Sequence, residues 1–200
     1  MQSIADTSPP EYIAVNGKQY QCNVDYRVWA QILLMAQENL YDATTSEAQV
    51  IHNLTTFADM QKLAFNRVIP EPAMDTLQAM FTFMRGYPRE NNGYNNEETE
   101  TGAKTYSFKH DMNLILLAIR NQSGIDLSYR RISPFHWWLF LLEFQSLTSE
   151  HLIVNVMAWR GYEGNDKEMI KRRNRVALPK EYTRSELAMQ EQLQDMFYNT

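Results

Sequence analysis

A ten-residue segment, Phe135–Phe144, constrains the fold of this chain more than any other, because it is apolar on nearly every side. It contains Trp137 and Trp138 in succession, and its only polar residues are His136 and Glu143. A membrane-spanning helix needs about 20 apolar residues, so this segment is far too short to be one. A helix without a polar face is usually covered by neighbouring elements. We therefore predict that this segment is a central helix in the core of a helical protein.

Apolar residues spaced three and four apart dominate the rest of the chain, which is the pattern of amphipathic helices. Gly and Pro number only seven each, which leaves long segments free of residues that break helices. The central helix is expected to begin at Pro134, a residue favoured at the first helical position, and to end near Leu147. Residues that commonly cap helices precede the periodic segments. We predict N-caps at Asp25, Ser46, Ser133, Thr148 or Ser149, and Asp166, with a capping box from Thr183 to Glu186 opening the last helix.

The two helices predicted after Ser46 and after Pro72 have clear apolar stripes, which we expect to face the core. The stripe of the helix that follows Ser46 contains Val50, Leu54, Phe57, Met60, Leu63 and Ala64. The stripe of the helix that follows Pro72 contains Met74, Leu77, Met80, Phe81 and Met84.

Two β-prone segments, Tyr12–Val15 and Lys18–Val24, flank the pair Asn16-Gly17. Both residues of an Asn-Gly pair accept positive φ, so the pair is typical of a type I′ turn in a two-residue hairpin. A lone hairpin is marginally stable in water, and we expect it to pack on the helical body. The sequence thus predicts a mainly α fold: a single helical domain of seven to eight helices with an N-terminal β-hairpin.

Low-complexity and polar segments set the predicted domain boundaries. Residues 1–11 are interpreted as a flexible leader. Residues 87–104 are rich in Asn, Glu, Thr and Gly, and they cannot bury enough apolar surface to offset the entropy of ordering. We predict a mobile loop there. Residues 12–179 are assigned to the helical domain, with the hairpin at 12–24, and residues 180–200 to a C-terminal helical extension.

The overall charge argues against one broad class of partners. The formal net charge is −5 and the pI is near 5.4, whereas sequence-independent binding of nucleic acid needs clustered Lys and Arg. The single cysteine, Cys22, rules out an intrachain disulfide and a cysteine-based zinc site, and we expect it to fill apolar space at a strand end. The N-terminal residues lack the basic and apolar segments of a signal peptide, so we expect an intracellular protein.

Histidine chemistry is the remaining route to an enzyme. The pair His110-Asp111 is similar to a dipeptide of metal-dependent phosphohydrolases, and His52 is a conceivable further ligand of such a site. We instead expect Asp111 to act as a cap or first-turn acid of the following helix. His136 is expected to be a buried neutral imidazole with one hydrogen bond. No nucleophile elbow, phosphate-binding glycine loop or metal-ligand spacing occurs, and we predict no catalytic residue, metal or cofactor.

A basic run, formed by Lys167, Lys171, Arg172, Arg173 and Arg175, is the strongest local charge feature. It is either a solvated helix face or a surface that pairs with carboxylates of a protein partner. The last predicted helix carries an apolar stripe, which either docks on the body or serves as a helical ligand for a partner's groove. The candidate partner-binding residues are therefore Lys167, Lys171, Arg172, Arg175, Leu187, Leu193 and Phe197.

Several short motifs, in a particular order, resemble those of one known family. The motifs are Asp25-Tyr-Arg-Val-Trp29, Tyr106-Ser-Phe108 followed by Asp111, Gly124-Ile-Asp-Leu127, His136-Trp-Trp138 with Phe144, and Arg175-Val-Ala-Leu-Pro179. Their order and spacing over about residues 12–179 resemble the bacteriophage "gene product fifteen" family of tailed phages and prophages. The sequence departs from the family pattern at Phe135, at Gln122-Ser123 and after residue 179.

This resemblance implies a role in assembling a long phage tail. Genes of the family typically lie near those for the tail tube and the tape-measure protein, which is the position of tail assembly chaperones. The resemblance therefore implies a non-enzymatic chaperone in the host cell cytoplasm that binds the tape-measure protein or other tail proteins. The alternative role is that of a structural virion component, such as a tail-completion or connector protein. A homo-oligomer is compatible with either role, and neither nucleic acid nor a membrane is expected as a partner.

Overall fold

The computed structural model describes residues 8–41, 46–87, 104–128, 133–180 and 182–190. A β-hairpin is followed by helices, and residues 184–190 are also helical. The elements are β1 (Tyr12–Val15), β2 (Lys18–Gln21), α1 (Tyr26–Asn39), α2 (Glu47–Phe65), α3 (Ala73–Met84), α4 (Phe108–Ser123), α5 (Trp137–Gln145), α6 (Leu152–Arg160) and α7 (Lys167–Arg175). The predicted mainly α fold with an N-terminal hairpin is confirmed.

The chain divides into two compact units. Unit 1 comprises the residues up to Arg85 together with those from Lys180 onward, and unit 2 spans Gly86–Pro179. The predicted division into a leader, a domain at 12–179 and an extension remains a prediction. Most of the leader and of the predicted mobile loop lies outside the described residues. Among the described residues, no helix is both long and apolar enough to cross a membrane.

The hairpin of unit 1 has the turn that its sequence predicts. Asn16 has φ 50° and Gly17 has φ 79°, the two positive values of a type I′ turn. Ile13 and Val15, at alternate positions of β1, are both buried, so one face of the hairpin packs toward the helices. Cys22, immediately after β2, is buried as expected. Its burial raises the pKa of the thiol to about 12, so the side chain is a neutral apolar filler.

Helix α1 begins at its predicted cap, where the carboxylate of Asp25 accepts a hydrogen bond from the backbone N–H of Arg27. One turn later, Trp29 is completely buried, and its ring centroid lies 4.5 Å from that of Phe83 in α3. The indole N–H of Trp29 donates to the carbonyl oxygen of Asn23, so burial leaves no unsatisfied donor. These contacts bury one side of α1 in the core of unit 1.

The predicted core stripes of α2 and α3 are correct only in part. Phe57 and Met60 are buried, but Val50 and Leu54 at the start of α2 are 44% and 54% exposed. Met74, in the first turn of α3, is 73% exposed. The apolar period thus continues beyond the parts of these helices that their neighbours cover. The further members of the stripes that are buried are Ala64, Met80 and Met84, while Leu63, Leu77 and Phe81 are half-buried.

Helix α5 begins later than predicted, and the prediction of Ser133 as its cap is wrong. The helix starts at Trp137, and His136 is the N-cap, since its Nδ1 accepts a hydrogen bond from the backbone N–H of Trp138 at 3.0 Å. This interaction satisfies a free helix donor with an imidazole nitrogen instead of a hydroxyl. His136 is buried, as expected, and the nitrogen that accepts this bond is unprotonated.

The expectation that α5 is covered on most sides is correct only in part. Trp137 and Phe140 are buried and pack with Phe108 of α4, at centroid distances of 5.9 Å for both pairs. Leu139 and Leu142, on the other side of the helix, are 37% and 44% exposed. One side of α5 therefore forms the aromatic core of unit 2, and its apolar opposite side contacts solvent.

The start of α6 differs from its prediction, whereas the end of α4 agrees with its prediction. Helix α6 is capped by His151, without a side-chain hydrogen bond, so the prediction of Thr148 or Ser149 is wrong. Helix α4 ends at Gly124, whose φ of 76° gives the left-handed C-cap that glycine favours. Gly86 has φ 82°, and a Cβ there would lie 2.8 Å from a side-chain carbon of Leu141, so this site accepts only glycine without rearrangement.

Candidate interaction surface

Helix α7 carries the predicted basic run, and its start is fixed by local chemistry. Oδ1 of Asp166 accepts hydrogen bonds from the backbone N–H groups of Glu168 and Met169, each at 2.9 Å. This is the predicted N-cap, and Glu168 adds a negative charge to the first turn, where the helix dipole favours it. The basic residues of the last turn, ending at Arg175, complement the opposite pole.

The two faces of α7 differ in burial. Met169, Ile170 and Arg173 are half-buried and follow the spacing of a single helix face, and α7 packs against α6. No residue of α7 is fully buried. The candidates from the sequence all lie on the exposed side, which also includes Glu168 and Asn174: they are Lys167, Lys171, Arg172 and Arg175.

The exposed cations of α7 are held to different degrees. Lys171 lies 2.8 Å from the carboxylate of Glu168 one turn earlier. The guanidinium of Arg172 lies over the ring of Trp159, 5.6 Å from its centroid, in a cation–π arrangement. Lys167 and Arg175 have no ion-pair partner among the described residues. The exposed face therefore presents cations that are not neutralised within unit 2.

A buried ion pair anchors the region around α7. Arg160, the last residue of α6, donates to both carboxylate oxygens of Asp111, at 2.6 Å and 3.1 Å. It also donates to the carbonyl oxygens of Thr105, at 3.1 Å, and Val176, at 2.6 Å. One guanidinium thus joins the segment before α4, the end of α6 and the residue after α7. Nothing in the sequence pairs Arg160 with Asp111, because the two are 49 positions apart.

Asp111 has the helix-start role that the sequence predicts, and the ion pair is an additional role. Its Oδ2 accepts a hydrogen bond from the backbone N–H of Ser107, the N-cap of α4. Burial of the carboxylate acts to raise its pKa, but the hydrogen bonds from Arg160 and Ser107 outweigh burial and leave the pKa below its ordinary value. Asp111 is therefore an ionised structural group whose oxygens are already engaged.

The residues of the hydrolase hypothesis do not form a ligand group in the described structure. His52 lies in unit 1, where its Nε2 is 2.9 Å from the carbonyl oxygen of Asn39. His110 lies in unit 2 on the exposed side of α4. Among the described residues, no set of three or more His, Cys, Asp or Glu side chains is placed to hold a metal ion.

Of the C-terminal candidates, Leu187 lies among the described residues, in the helix that follows the predicted capping box. The predicted capping box is confirmed: Thr183 N donates to Oε2 of Glu186 at 2.8 Å, and Glu186 N donates to Oγ1 of Thr183 at 3.2 Å. Leu187 is half-buried in the helical stretch 184–190. The other two candidates of this helix, Leu193 and Phe197, lie outside the described residues. This stretch belongs to unit 1 and α7 to unit 2.

The fold and this surface define a mainly helical protein with an anchored basic helix. Comparison with known families is more specific: the model of the bacteriophage Gp15 protein family matches residues 6–184. The chain therefore belongs to this family, which confirms the resemblance seen in the motifs. No curated protein and no solved structure matches the chain.

Proposed function

We propose that this phage protein is a non-enzymatic tail assembly chaperone that binds the tape-measure protein in the host cytoplasm, with the exposed face of α7 as a contact surface. The observation that carries the proposal is that face: four exposed cations on a helix whose inner side and C-terminal end are fixed by the rest of unit 2. A fixed array of Lys and Arg binds carboxylates at a smaller entropic cost than mobile side chains do.

The charge distribution supports a selective contact at α7. The whole chain has a formal net charge of −5, whereas α7 has five basic residues and one acidic residue. The remainder of the protein therefore repels an acidic segment that α7 attracts, and this contrast orients such a partner. We infer that the bound region of the tape-measure protein contains an acidic helix face.

Exposed apolar side chains offer a second kind of contact, in addition to the charges of α7, that a chaperone of a long helical protein needs. Val50, Ile51 and Leu54, at the start of α2, are 44%, 56% and 54% exposed and follow the spacing of one helix side. Met74 and Met189 are also exposed, and methionine adapts its shape to different apolar surfaces. Such side chains would cover apolar parts of a long helical client until tail subunits replace them.

Coexpression with the tape-measure protein encoded beside this gene tests the proposal. We expect a soluble complex that copurifies through a tag on either partner. The variant Lys171→Glu/Arg175→Glu should weaken binding at least about tenfold, with the larger loss at low salt. The matched control is Lys62→Glu/Arg120→Glu, which makes the same charge change at exposed sites. Lys62 pairs with Asp59 at 2.8 Å as Lys171 pairs with Glu168, and Arg120 also lies 3.6 Å from Asp126, so the control variant loses at least as many ion pairs as the α7 variant.

The same experiment separates the chaperone from other outcomes. If no complex forms with either tag, the tape-measure protein is not the partner. If both double variants weaken binding equally, α7 is not the contact surface. Mass spectrometry of purified virions tests the alternative, a tail-completion or connector protein, because a chaperone should be absent from virions and a structural component present in fixed copy number.

A further inference from the structure

Strand β2 has an open main-chain edge. The main-chain groups of Tyr20 and Cys22 turn toward β1, since the hairpin register alternates and Cys22 N donates to the carbonyl oxygen of Glu11 at 3.0 Å. The N–H and C=O groups of Gln19 and Gln21 therefore point away from β1. They have no backbone hydrogen-bond partner among the described residues. Unpaired edge groups of this kind are a template for adding another strand.

The protein itself uses the next position along this edge. Asn23 N, two residues beyond Gln21, donates to the carbonyl oxygen of Ala64 at 2.6 Å. Beside the open positions lies a cavity of about 340 Å³. Residues 20–23 form one of its walls, and residues 65–67 with Ile69 form the other. The open edge thus borders a groove with a second wall, at the size where pockets begin to hold ligands.

We propose that this groove binds an extended peptide segment of a partner protein, which adds to β2 as a third strand. Gln19 and Gln21 would supply the main-chain hydrogen bonds, and side chains on one face of the peptide would enter the cavity beside Asn66 and Arg67. This site lies in unit 1 and does not depend on the function proposed for α7.

The charge of the groove specifies the peptide further. Arg67 on the second wall is exposed and has no ion-pair partner among the described residues. Lys18, at the start of β2, is instead neutralised by Glu71 at 2.8 Å. The uncompensated charge of the groove is therefore positive, and an Asp or Glu side chain of the peptide would pair with Arg67.

A second copy of the chain fits this edge less well than a peptide does. Strand β2 has only four residues, and pairing two such strands buries far less than the roughly 1,200 Å² of a stable protein interface. The second wall also makes the site a groove and not a flat edge. A single strand can fill a groove and gain side-chain contacts on both walls, which compensates for its short length.

Peptide selection with the full-length protein tests the assignment. A display library of random octapeptides is selected against the protein, and enriched peptides are synthesised with blocked termini. We expect them to contain Asp or Glu at a position that can reach Arg67. Binding should slow amide hydrogen exchange at Gln19 and Gln21, whose N–H groups are open in the free protein. If no peptide is enriched, or if exchange at these two amides is unchanged on binding, the assignment is wrong.

Two variants locate the contact. Gln21→Pro removes one edge donor and should weaken binding at least about tenfold, whereas Gln21→Ala keeps the backbone and should stay within about twofold. Arg67→Glu should weaken acidic peptides about threefold to tenfold and favour peptides with Lys in place of the acid. Thermal unfolding checks that Gln21→Pro is folded; if it is not, Arg67→Glu and the exchange data decide. A dimer that Gln21→Pro abolishes would show that a second copy occupies the edge, which overturns the assignment.

Discussion

Among the described residues, two ion pairs join distant parts of the sequence, one in each unit, and they differ in burial. Asp111 and Arg160 of unit 2 have side chains only 4% and 10% exposed. In unit 1, Glu71 is similarly covered at 6%, but its partner Lys18 is 67% exposed. A buried pair has no water to replace a lost partner, whereas an exposed ammonium exchanges its partner for water readily.

The two carboxylates also differ in the groups that donate hydrogen bonds to them. Asp111 is bound by a planar guanidinium that contacts both of its oxygens. Glu71 accepts from the Lys18 ammonium and from the Tyr20 hydroxyl, with Asn16 nearby at 3.4 Å. These bonds, that from Lys18 first, hold the pKa of Glu71 below its ordinary value. The comparison indicates that the first pair maintains the structure of unit 2, while the second positions the hairpin and is replaceable.

The largest expected effect is that of Arg160→Met. It leaves the Asp111 carboxylate buried and uncompensated, and it also frees the carbonyl oxygen of Val176. Breaking a buried pair in this way costs about 3–5 kcal/mol. Chemical denaturation should show this loss of stability. The control is Arg120→Met, which removes a cation that is 59% exposed and lies 3.6 Å from Asp126; it should cost less than about 1 kcal/mol. Equal losses for the two variants would remove the distinction between buried and exposed pairs.

The next largest expected effect is a pH dependence of stability that arises from the ionisation of Asp111. Because its folded-state pKa is lowered from 3.8, its contribution to stability is full above that value and is lost as the pH falls through the folded-state pKa. Wild type should therefore be more stable than Asp111→Asn at pH 6, and the gap should narrow below pH 4. Urea denaturation from pH 6 to pH 3 measures the gap, and a constant gap would mean that ionisation of Asp111 does not stabilise the fold.

A smaller effect is expected for Glu71→Gln. The amide still accepts from Tyr20, but it loses the charge that pairs with Lys18, so the melting temperature should fall less than in Arg160→Met. Asp75→Asn is the control, since Asp75 accepts only from Asn16 in this cluster, at 2.9 Å, and it should change the melting temperature less again. A fall that matches the one for Arg160→Met would show that the hairpin contact is as essential as the buried pair.

The smallest effect concerns exposed pairs one helical turn apart. Lys171→Gln in α7 and Lys62→Gln in α2 each remove such a pair, and each should change the free energy of unfolding by less than about 0.5 kcal/mol. If Lys171→Gln were strongly destabilising, then the cations of α7 would have a structural role, which would weaken their assignment to partner binding.

Features with partners nearby in the sequence could be predicted from it. Asp166 and the Thr183–Glu186 box depend on contacts two or three residues away, and the turn at Asn16-Gly17 depends on its own backbone preferences. Such interactions are encoded in short motifs, so reading the motif is enough to place the element.

Features that depend on distant residues could not be predicted. One local feature was missed as well: the sequence offered Ser133 as the cap of α5, but His136, which is not among the residue types that usually cap helices, takes that role. Apolar spacing marked Val50 and Leu54 as core residues, but spacing does not show where a neighbouring helix ends. In the candidate site, the basic residues were recognised from composition, while the anchor through Arg160 required the fold.

The contacts of Arg160 have a consequence for how relatives of this chain can vary. The three guanidinium nitrogens donate to acceptors on three residues, and a lysine at this position has a single nitrogen that cannot reach all of them. If one charged partner is lost alone, the other stays buried, with neither a counter-charge nor water to stabilise it. Across the family, positions 111 and 160 should therefore covary, either retained together as an acid and an arginine or replaced together by uncharged side chains.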